Sequence, residues 1–206
     1  MSDEPMVYLV DDDQSVVKAL KRLFRLAGLR CEAFENAHAF LNHPTIASPA
    51  CLVLDMNLPD LTGLELQRQL KDRDRPISIV FITGHGNIPM AVEAMQAGAV
   101  HFLAKPFDNE ELLTAVHQAL AKANQELVTR DEHQQHLARL SSLTPREHQV
   151  FQLVAAGRAN KNIAAELDLS LQTVKLHRGR VMQKLQLDSV ADLVRLAEKF
   201  NSTITE

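Results

Sequence analysis

MVYLVDDDQS, residues 6–15, sets an apolar run directly against three consecutive aspartates. MVYLV has the length and the β-branched, aromatic composition of a buried strand. Asp11, Asp12 and Asp13 then stand at the carboxyl end of that strand. Like charges beside a core raise one another's pKa, so such a cluster needs something that offsets the repulsion.

Outward from this stretch, residues 1–124 alternate between strand and helix patterns. Apolar runs recur at RCEAF (30–34), ACLVLD (50–55), ISIVFIT (77–83) and VHFLA (100–104). Helical patterns separate them at 14–27, from Asn36, at 62–72, at 88–97 and from just after Asp108. Gly28 and Gly98 close the first and fourth of these. Strands alternating with helices read as βαβ units. The third and fourth strands are nearly continuous apolar runs, as strands buried on both faces are. The predicted fold is α/β, a doubly wound five-stranded parallel sheet of the flavodoxin-like kind. Such sheets bind ligands outside the carboxyl ends of their strands.

The fifth helix has no internal stop: no Gly or Pro occurs from Glu110 to about Leu140. Leu112, Leu113, Val116, Leu120 and Leu127 give it an apolar face, but TRDEHQQH (129–136) is polar all round. A helix polar on every side bridges domains through solvent; a frayed linker is the alternative. Beyond Leu140 the pattern is all-helical. Thr144, Pro145 and Glu147 form a capping box with proline at its favoured first position. Gly157 ends that helix, a short one follows at about 160–167, Ser170 caps 171–185 and Ser189 caps 190–199. Two helices joined by the tight LDLS turn suggest a helix-turn-helix. The division is therefore 1–124, a helical linker at 125–140, and an all-α domain at 141–206.

Composition bounds the rest. With no Trp and one Tyr, burial falls to Leu, Val and Ile. Cys31 and Cys51 lie in apolar runs without C-x-x-C spacing and read as buried free thiols, a single disulfide being the alternative. The acidic MSDEP start carries no apolar signal segment, and no apolar run nears the roughly 18 residues of a membrane span. A cytoplasmic protein without a membrane partner is expected. Residues 1–124 hold 11 Lys/Arg against 16 Asp/Glu, and residues 141–206 hold 9 against 7. The acidic part favours cations; the mildly basic tail is weak evidence for nucleic acid.

Parallel neighbours would bring Asp11–Asp13 close to Asp55, at the end of the third strand. A divalent cation resolves their repulsion, and hard oxygen ligands with room for water suit Mg²⁺. An aspartate so placed can accept a phosphoryl group. Thr83 ends the fourth strand and Lys105, before Pro106, ends the fifth. A hydroxyl and an ammonium there would bond and neutralise the phosphoryl oxygens, which is most of what phosphoryl transfer requires. Taken singly, each is an ordinary strand-end or surface residue; together, at the ends of four different strands, they point to a site. Asn57 stands where a phosphatase using a strand-end Asp nucleophile needs a second Asp as general acid, which argues against an enzyme. His133 and His136 lack further ligands for zinc, and His85, near the pocket, is read as packing or hydrogen-bonding.

VDDD (10–13), LVLDMNLPDLTG (52–63), FITGHG (81–86) and LAKPF (103–107) together resemble a response-regulator receiver domain across residues 1–124. The resemblance implies that Asp55 is the phospho-acceptor. It implies one Mg²⁺ held by Asp12, Asp55 and the backbone carbonyl of Asn57, with Asp11 outer-shell or sharing. Thr83 and Lys105 would bind phosphoryl oxygens, and the Lys105–Pro106 bond would be cis. Phe102 matches the aromatic position that turns inward with Thr83, although a plain core role is the alternative. Turnover would be limited to slow self-dephosphorylation.

On the helix at 171–185, Leu171, Val174, Val181, Met182 and Leu185 fall in one arc, read as the buried stripe. Gln172, Leu176, Gly179, Arg180 and Gln183 lie opposite, with Lys175 and His177 on the flanks. A major-groove helix needs such a face, although a lone helix with this pattern is more often simply solvated. LTPREHQVFQLVAAG, NKNIAAEL and TVKLHR resemble the LuxR-type DNA-binding domain, and the whole chain resembles a FixJ-type response regulator. The implied DNA-contacting residues are Thr173, Lys175, Leu176, His177, Arg178, Gly179, Arg180 and Lys184. The implied partners are a sensor histidine kinase, double-stranded promoter DNA, RNA polymerase and, on phosphorylation, a second copy through the 88–120 surface. A closed resting state, a phosphorylation-independent DNA binder and an RNA-binding tail remain as alternatives.

Overall fold

The computed structural model describes residues 4–47, 49–73, 77–84 and 88–203, with side chains through Glu198. Contacts divide the chain into two units between Thr129 and Arg130.

In the first unit, β1 (Met6–Val10), β2 (Arg30–Phe34), β3 (Ala50–Asp55), β4 (Ser78–Thr83) and β5 (His101–Ala104) form one parallel sheet in the order β2-β1-β3-β4-β5. Helices α1 (Gln14–Leu26), α2 (Ala37–Leu41), α3 (Gly63–Asp72), α4 (Ile88–Gln96) and α5 (Asn109–Ser141) join and flank the strands. The doubly wound five-stranded sheet read from the apolar runs is the one observed. Side chains alternate across the pleat. Tyr8, Leu52, Leu54 and Phe81 pack with α2 and α3 on one face; Val7, Leu9, Val53 and Val80 pack with α1 and α5 on the other. Every residue of β3 and β4 is buried. At about 1.5–3 kcal/mol for each large apolar side chain, these two layers dominate the stability of the unit.

Val7 pairs with both Cys31 and Cys51, so the two thiols lie two strands apart. That is about 9–10 Å, beyond the reach of a disulfide. Both cysteines are free.

Helix α5 runs unbroken from Asn109 to Ser141. Leu112, Ala115, Val116, Ala119, Leu120 and Ala123 are its buried residues. The polar 129–136 stretch is thus helical rather than frayed.

In the second unit, α6 (Pro145–Ala155), α7 (Asn160–Glu166), α8 (Leu171–Leu185) and α9 (Val190–Thr203) surround a core of Val150, Phe151, Val154, Ile163, Val174, Val181, Leu185 and Leu193. The Thr144–Glu147 capping box forms, with proline at the start of α6. Between α7 and α8 the backbone enters the left-handed region at Asp168 (φ 52°), which Asp tolerates better than most residues. Ser170 then caps α8 by accepting from the Thr173 N–H at 3.1 Å. One expectation fails: Leu171, assigned to the buried arc, is 47% exposed. It occupies the first turn, ahead of the point where α8 meets the core at Val174.

Candidate functional site

Register builds the site. Val10 pairs with Leu54, so the next residues, Asp11 and Asp55, emerge side by side from β1 and β3. Asp55 pairs with Ile82, which puts Thr83 one step beyond it, and Thr83 pairs with Ala104, just before Lys105. The Lys105 N–H donates to the Thr83 carbonyl at 2.7 Å, and the Lys105–Pro106 bond is cis, as the receiver resemblance implies.

The Lys105 ammonium donates to Asp11 Oδ2 at 2.7 Å and to Asp55 Oδ2 at 2.6 Å. Asp55 Oδ1 accepts from the Asn57 N–H at 2.9 Å, and Asp11 Oδ1 from the Asp13 N–H at 2.9 Å. Burial pushes the Asp11 carboxyl above its ordinary range, against the opposing pull of the Lys105 hydrogen bond. Burial also disfavours the Lys105 ammonium, but its bonds to Asp11 and Asp55 outweigh this and hold it above the usual lysine range. Thr83 is fully buried, and its Oγ1 accepts from Asn57 Nδ2 at 3.4 Å.

The three aspartates divide their labour. Asp11, Asp12 and Asp55 each present a carboxylate oxygen, all within 4.8 Å of one another. Asp13 turns away and caps α1: its Oδ1 accepts from the Ser15 N–H at 2.7 Å and the Val16 N–H at 3.4 Å. The cluster thus loses one negative charge to a helix amino end, where it is stabilising. Asp before an amphipathic run is a recognisable cap signal, here submerged in the acidic triplet.

Three carboxylates against one ammonium leave two uncompensated negative charges, matched by one divalent cation. Oxygens on one Mg²⁺, bound at about 2.0–2.1 Å, lie about 3–4 Å apart, so small side-chain adjustments would close the set. The Asn57 carbonyl belongs to the same turn, where Asn57 bridges Thr62 and the Gly63 N–H donates to Met56 O at 2.8 Å. Gly63 is what permits this: a Cβ there would lie 2.8 Å from Phe81 Cε1 and 2.9 Å from the Asp55 carbonyl. Phe102 is half-buried on β5, its ring 6.5 Å from that of Phe81. His85 lies outside the described residues.

In the second unit, Gln172, Lys175, Leu176, Gly179, Arg180 and Gln183 form the exposed face of α8. Thr173 and His177 are half-buried, and His177 Nδ1 is buried without a hydrogen-bond partner among the described residues. Arg178 reaches across the turn to Asn160 Oδ1 at 2.8 Å, which fixes α8 against the first residue of α7. Lys184, implied above as a DNA contact, has partners within the unit. Its ammonium is 2.6 Å from the buried Glu147 carboxylate and 3.0 Å from Ser142 O, so it ties α8 to the start of α6. The partners are 37 residues apart, and no local pattern announces them. Arg146 also donates to Leu167 O. No helix among the described residues is long and apolar enough to cross a membrane.

Family models match both units: the response regulator receiver domain at residues 7–117 and the luxR family of bacterial regulatory proteins at 141–197. The response regulator protein TodT of Pseudomonas putida is 44% identical over 205 residues, 99% of this chain and 90% of its own. The transcriptional regulatory protein FixJ of Bradyrhizobium diazoefficiens is 40% identical over 197 residues, 96% of each chain. The solved structure of the response regulator StyR superposes with a TM-score of 0.86 at 48% identity, covering 95% of this chain and 99% of that one. These relatives are regulators rather than enzymes in kind. With its acidic, lysine-bridged strand edge and capped helix-turn-helix, the chain belongs to the two-component response regulators of the FixJ type, a receiver domain joined to a LuxR-type DNA-binding domain.

Proposed function

We propose that a sensor histidine kinase phosphorylates this protein on Asp55 and that phosphorylation drives promoter binding. The supporting observation is the Lys105 ammonium held between Asp11 and Asp55, within 2.7 Å of each. An Asp55 oxygen attacks the phosphorus of the kinase phosphohistidine; the O–P bond forms as the P–N bond breaks, its electron pair stays on that nitrogen, and the histidine leaves as neutral imidazole because its other ring nitrogen is already protonated. Asp12, Asp55 and the Asn57 carbonyl would hold Mg²⁺, with Asp11 in its outer shell or shared. When bound, that ion neutralises charge on the phosphoryl oxygens. Lys105 keeps its ammonium and passes a hydrogen bond from the Asp55 carboxylate to a phosphoryl oxygen. The Thr83 hydroxyl moves to another, and Phe102 follows into the space it leaves. Slow self-dephosphorylation returns the resting state.

The rearranged surface at 88–120 then pairs two receivers. Ile88, Val92 and Met95 of α4 are exposed large apolar residues on it, at 81%, 48% and 47%. Pairing brings two DNA-binding units onto two half-sites of duplex promoter DNA. The exposed face of α8 enters the major groove with Lys175, Leu176 and Arg180, while Thr173, His177 and Arg178 line its margins and the backbone at Gly179 approaches the duplex. RNA polymerase is the further partner, and the output is activation in the cytoplasm. The domains act as 1–124, 125–140 and 141–206.

The test is incubation with acetyl phosphate and Mg²⁺, reading intact mass and dimerisation together. Wild type is expected to gain one phosphoryl group and dimerise. An equal gain by Asp55→Asn refutes the acceptor assignment.

A further inference from the structure

The turn between β3 and α3, residues 56–62, carries Asn57 and is tied at its tip to a different element. Asp60 Oδ1 accepts from the Ala37 N–H at 3.2 Å, and Asp60 Oδ2 accepts from the His38 N–H at 2.9 Å. His38 Nδ1 lies 2.6 Å from the same Oδ2. Ala37 and His38 open α2, where backbone N–H groups have no partner inside the helix. The helix is itself fixed to the sheet, with Ala37, Phe40 and Leu41 buried. Burial opposes the Asp60 charge, but the hydrogen bonds from His38 and Ala37 outweigh it and hold the carboxyl down to about 2. α2 also has a cap of its own, Asn36, whose Oδ1 accepts from the Ala39 N–H at 2.8 Å. Asp60 comes from a turn 22 residues beyond His38, so its bonds fix that turn as well as the helix.

The turn is built to pass a movement of its tip to the acidic edge. Asn57 and Thr62 pair across it as an antiparallel bridge, and Asp60 lies between them in the chain. Pro59 locks its own φ at about −65° and restricts Leu58 before it to extended backbone. Leu58 is buried, and Leu61 packs against the same core. A turn this short and stiff transmits a displacement of Asp60 to Asn57 rather than absorbing it. The Asn57 N–H donates to Asp55 Oδ1 at 2.9 Å, so the displacement reaches the acceptor too. Groups that hold a metal's ligands in place matter to the metal: their loss typically costs about 10–100-fold in affinity. We infer that Asp60 is a positioning residue for the Mg²⁺ site: by bonding the start of α2 it holds the Asn57 carbonyl, and the Asp55 carboxylate beside it, in place for the ion. The inference rests on the Mg²⁺ site proposed above.

Mg²⁺ is titrated into the full-length ¹⁵N-labelled protein, and its dissociation constant is read from the amide shifts of Asp12 and Asn57. Asp60→Ala is expected to raise that constant by about tenfold. Asp60→Asn keeps the side-chain shape and one acceptor oxygen, and should raise it by about threefold. It also keeps the test available should Asp60→Ala unfold. Asn36→Ala is the control, because it removes the α2 cap without touching the turn. It should lower the urea midpoint while leaving the Mg²⁺ constant within about twofold of wild type. Equal Mg²⁺ affinity in wild type and the folded Asp60 variants overturns the inference. So does a loss in Asn36→Ala as large as that in Asp60→Ala, which would trace the effect to the stability of α2 alone. A wild type without a saturable Mg²⁺ shift overturns the Mg²⁺ site itself, and this inference with it.

Discussion

The ammonium of Lys105 lies 2.6 Å from Oδ2 of Asp55, although 50 residues separate them in the chain. The same nitrogen is 2.7 Å from Asp11 Oδ2. The sheet thus supplies one of the positive charges that its acidic edge demands and leaves the edge short by the charge of a divalent ion.

The three neighbouring aspartates are expected to separate by phenotype. Asp13→Ala removes the α1 cap and should lower the urea midpoint while leaving phosphorylation by acetyl phosphate intact. Asp12→Ala should leave α1 capped but abolish the rise in melting temperature that Mg²⁺ gives wild type, measured by calorimetry. Equal Mg²⁺ stabilisation of wild type and Asp12→Ala would remove Asp12 from the metal set.

Gly63→Ala forces a methyl against Phe81 Cε1 at 2.8 Å and the Asp55 carbonyl at 2.9 Å. A loss of about 1–3 kcal/mol is expected, the usual cost of overpacking. Because the clash reaches the backbone of Asp55 itself, the phosphorylation rate should fall along with the urea midpoint. A stable variant with unaltered kinetics would show that the turn can move aside freely.

Gly179 has open space where its Cβ would stand, so packing within the protein does not demand glycine. Gly179→Ala should stabilise α8 by about 1 kcal/mol by helix propensity alone. If its backbone lies against the duplex, promoter affinity should fall even as the melting temperature rises. Lys175→Ala should weaken binding and reduce the salt slope by about 1, as loss of a phosphate contact does. Lys184→Ala, by contrast, should lower stability and leave that slope unchanged.

The Lys184 and Thr144 hydrogen bonds hold the Glu147 carboxyl down to about 2, from an ordinary value of 4.5. A carboxyl depressed in the folded state contributes stability that is present above the unfolded pKa and lost as pH falls through the folded one. The stability difference between wild type and Glu147→Gln should therefore be constant above about pH 5 and fade between about pH 5 and pH 2. Thermal unfolding of the full chain, followed through α6 and α8 amides, measures it. A difference that persists at pH 2 would locate the role of Glu147 in its shape rather than its charge.

Much of this protein was legible in one dimension because its signals are local. Five apolar runs separated by helical periods fix a parallel sheet, since a strand buried on both faces must be apolar throughout. Thr144-Pro145-Arg146-Glu147 announces its own helix start because both capping bonds span three residues. The strand-end positions of Asp11, Asp55, Thr83 and Lys105 could be read from where each apolar run stops. Leu171 was misread because periodicity assigns a residue to a helical face but does not say where along the helix the core begins.

By itself the sequence determined the alternation of elements, their caps and the set of charged residues at the strand ends, all of which depend on neighbours within a few positions. Only the tertiary structure decided which carboxylates share Lys105, that Asp13 serves a helix instead of the cluster, that Lys184 pairs with Glu147, and that Asp60 reaches back to Ala37 and His38 at the start of α2. Those outcomes depend on strand order, register and the reach of single side chains across gaps of up to 94 residues, and charge or hydrogen bonding at such range leaves no periodic trace in the chain.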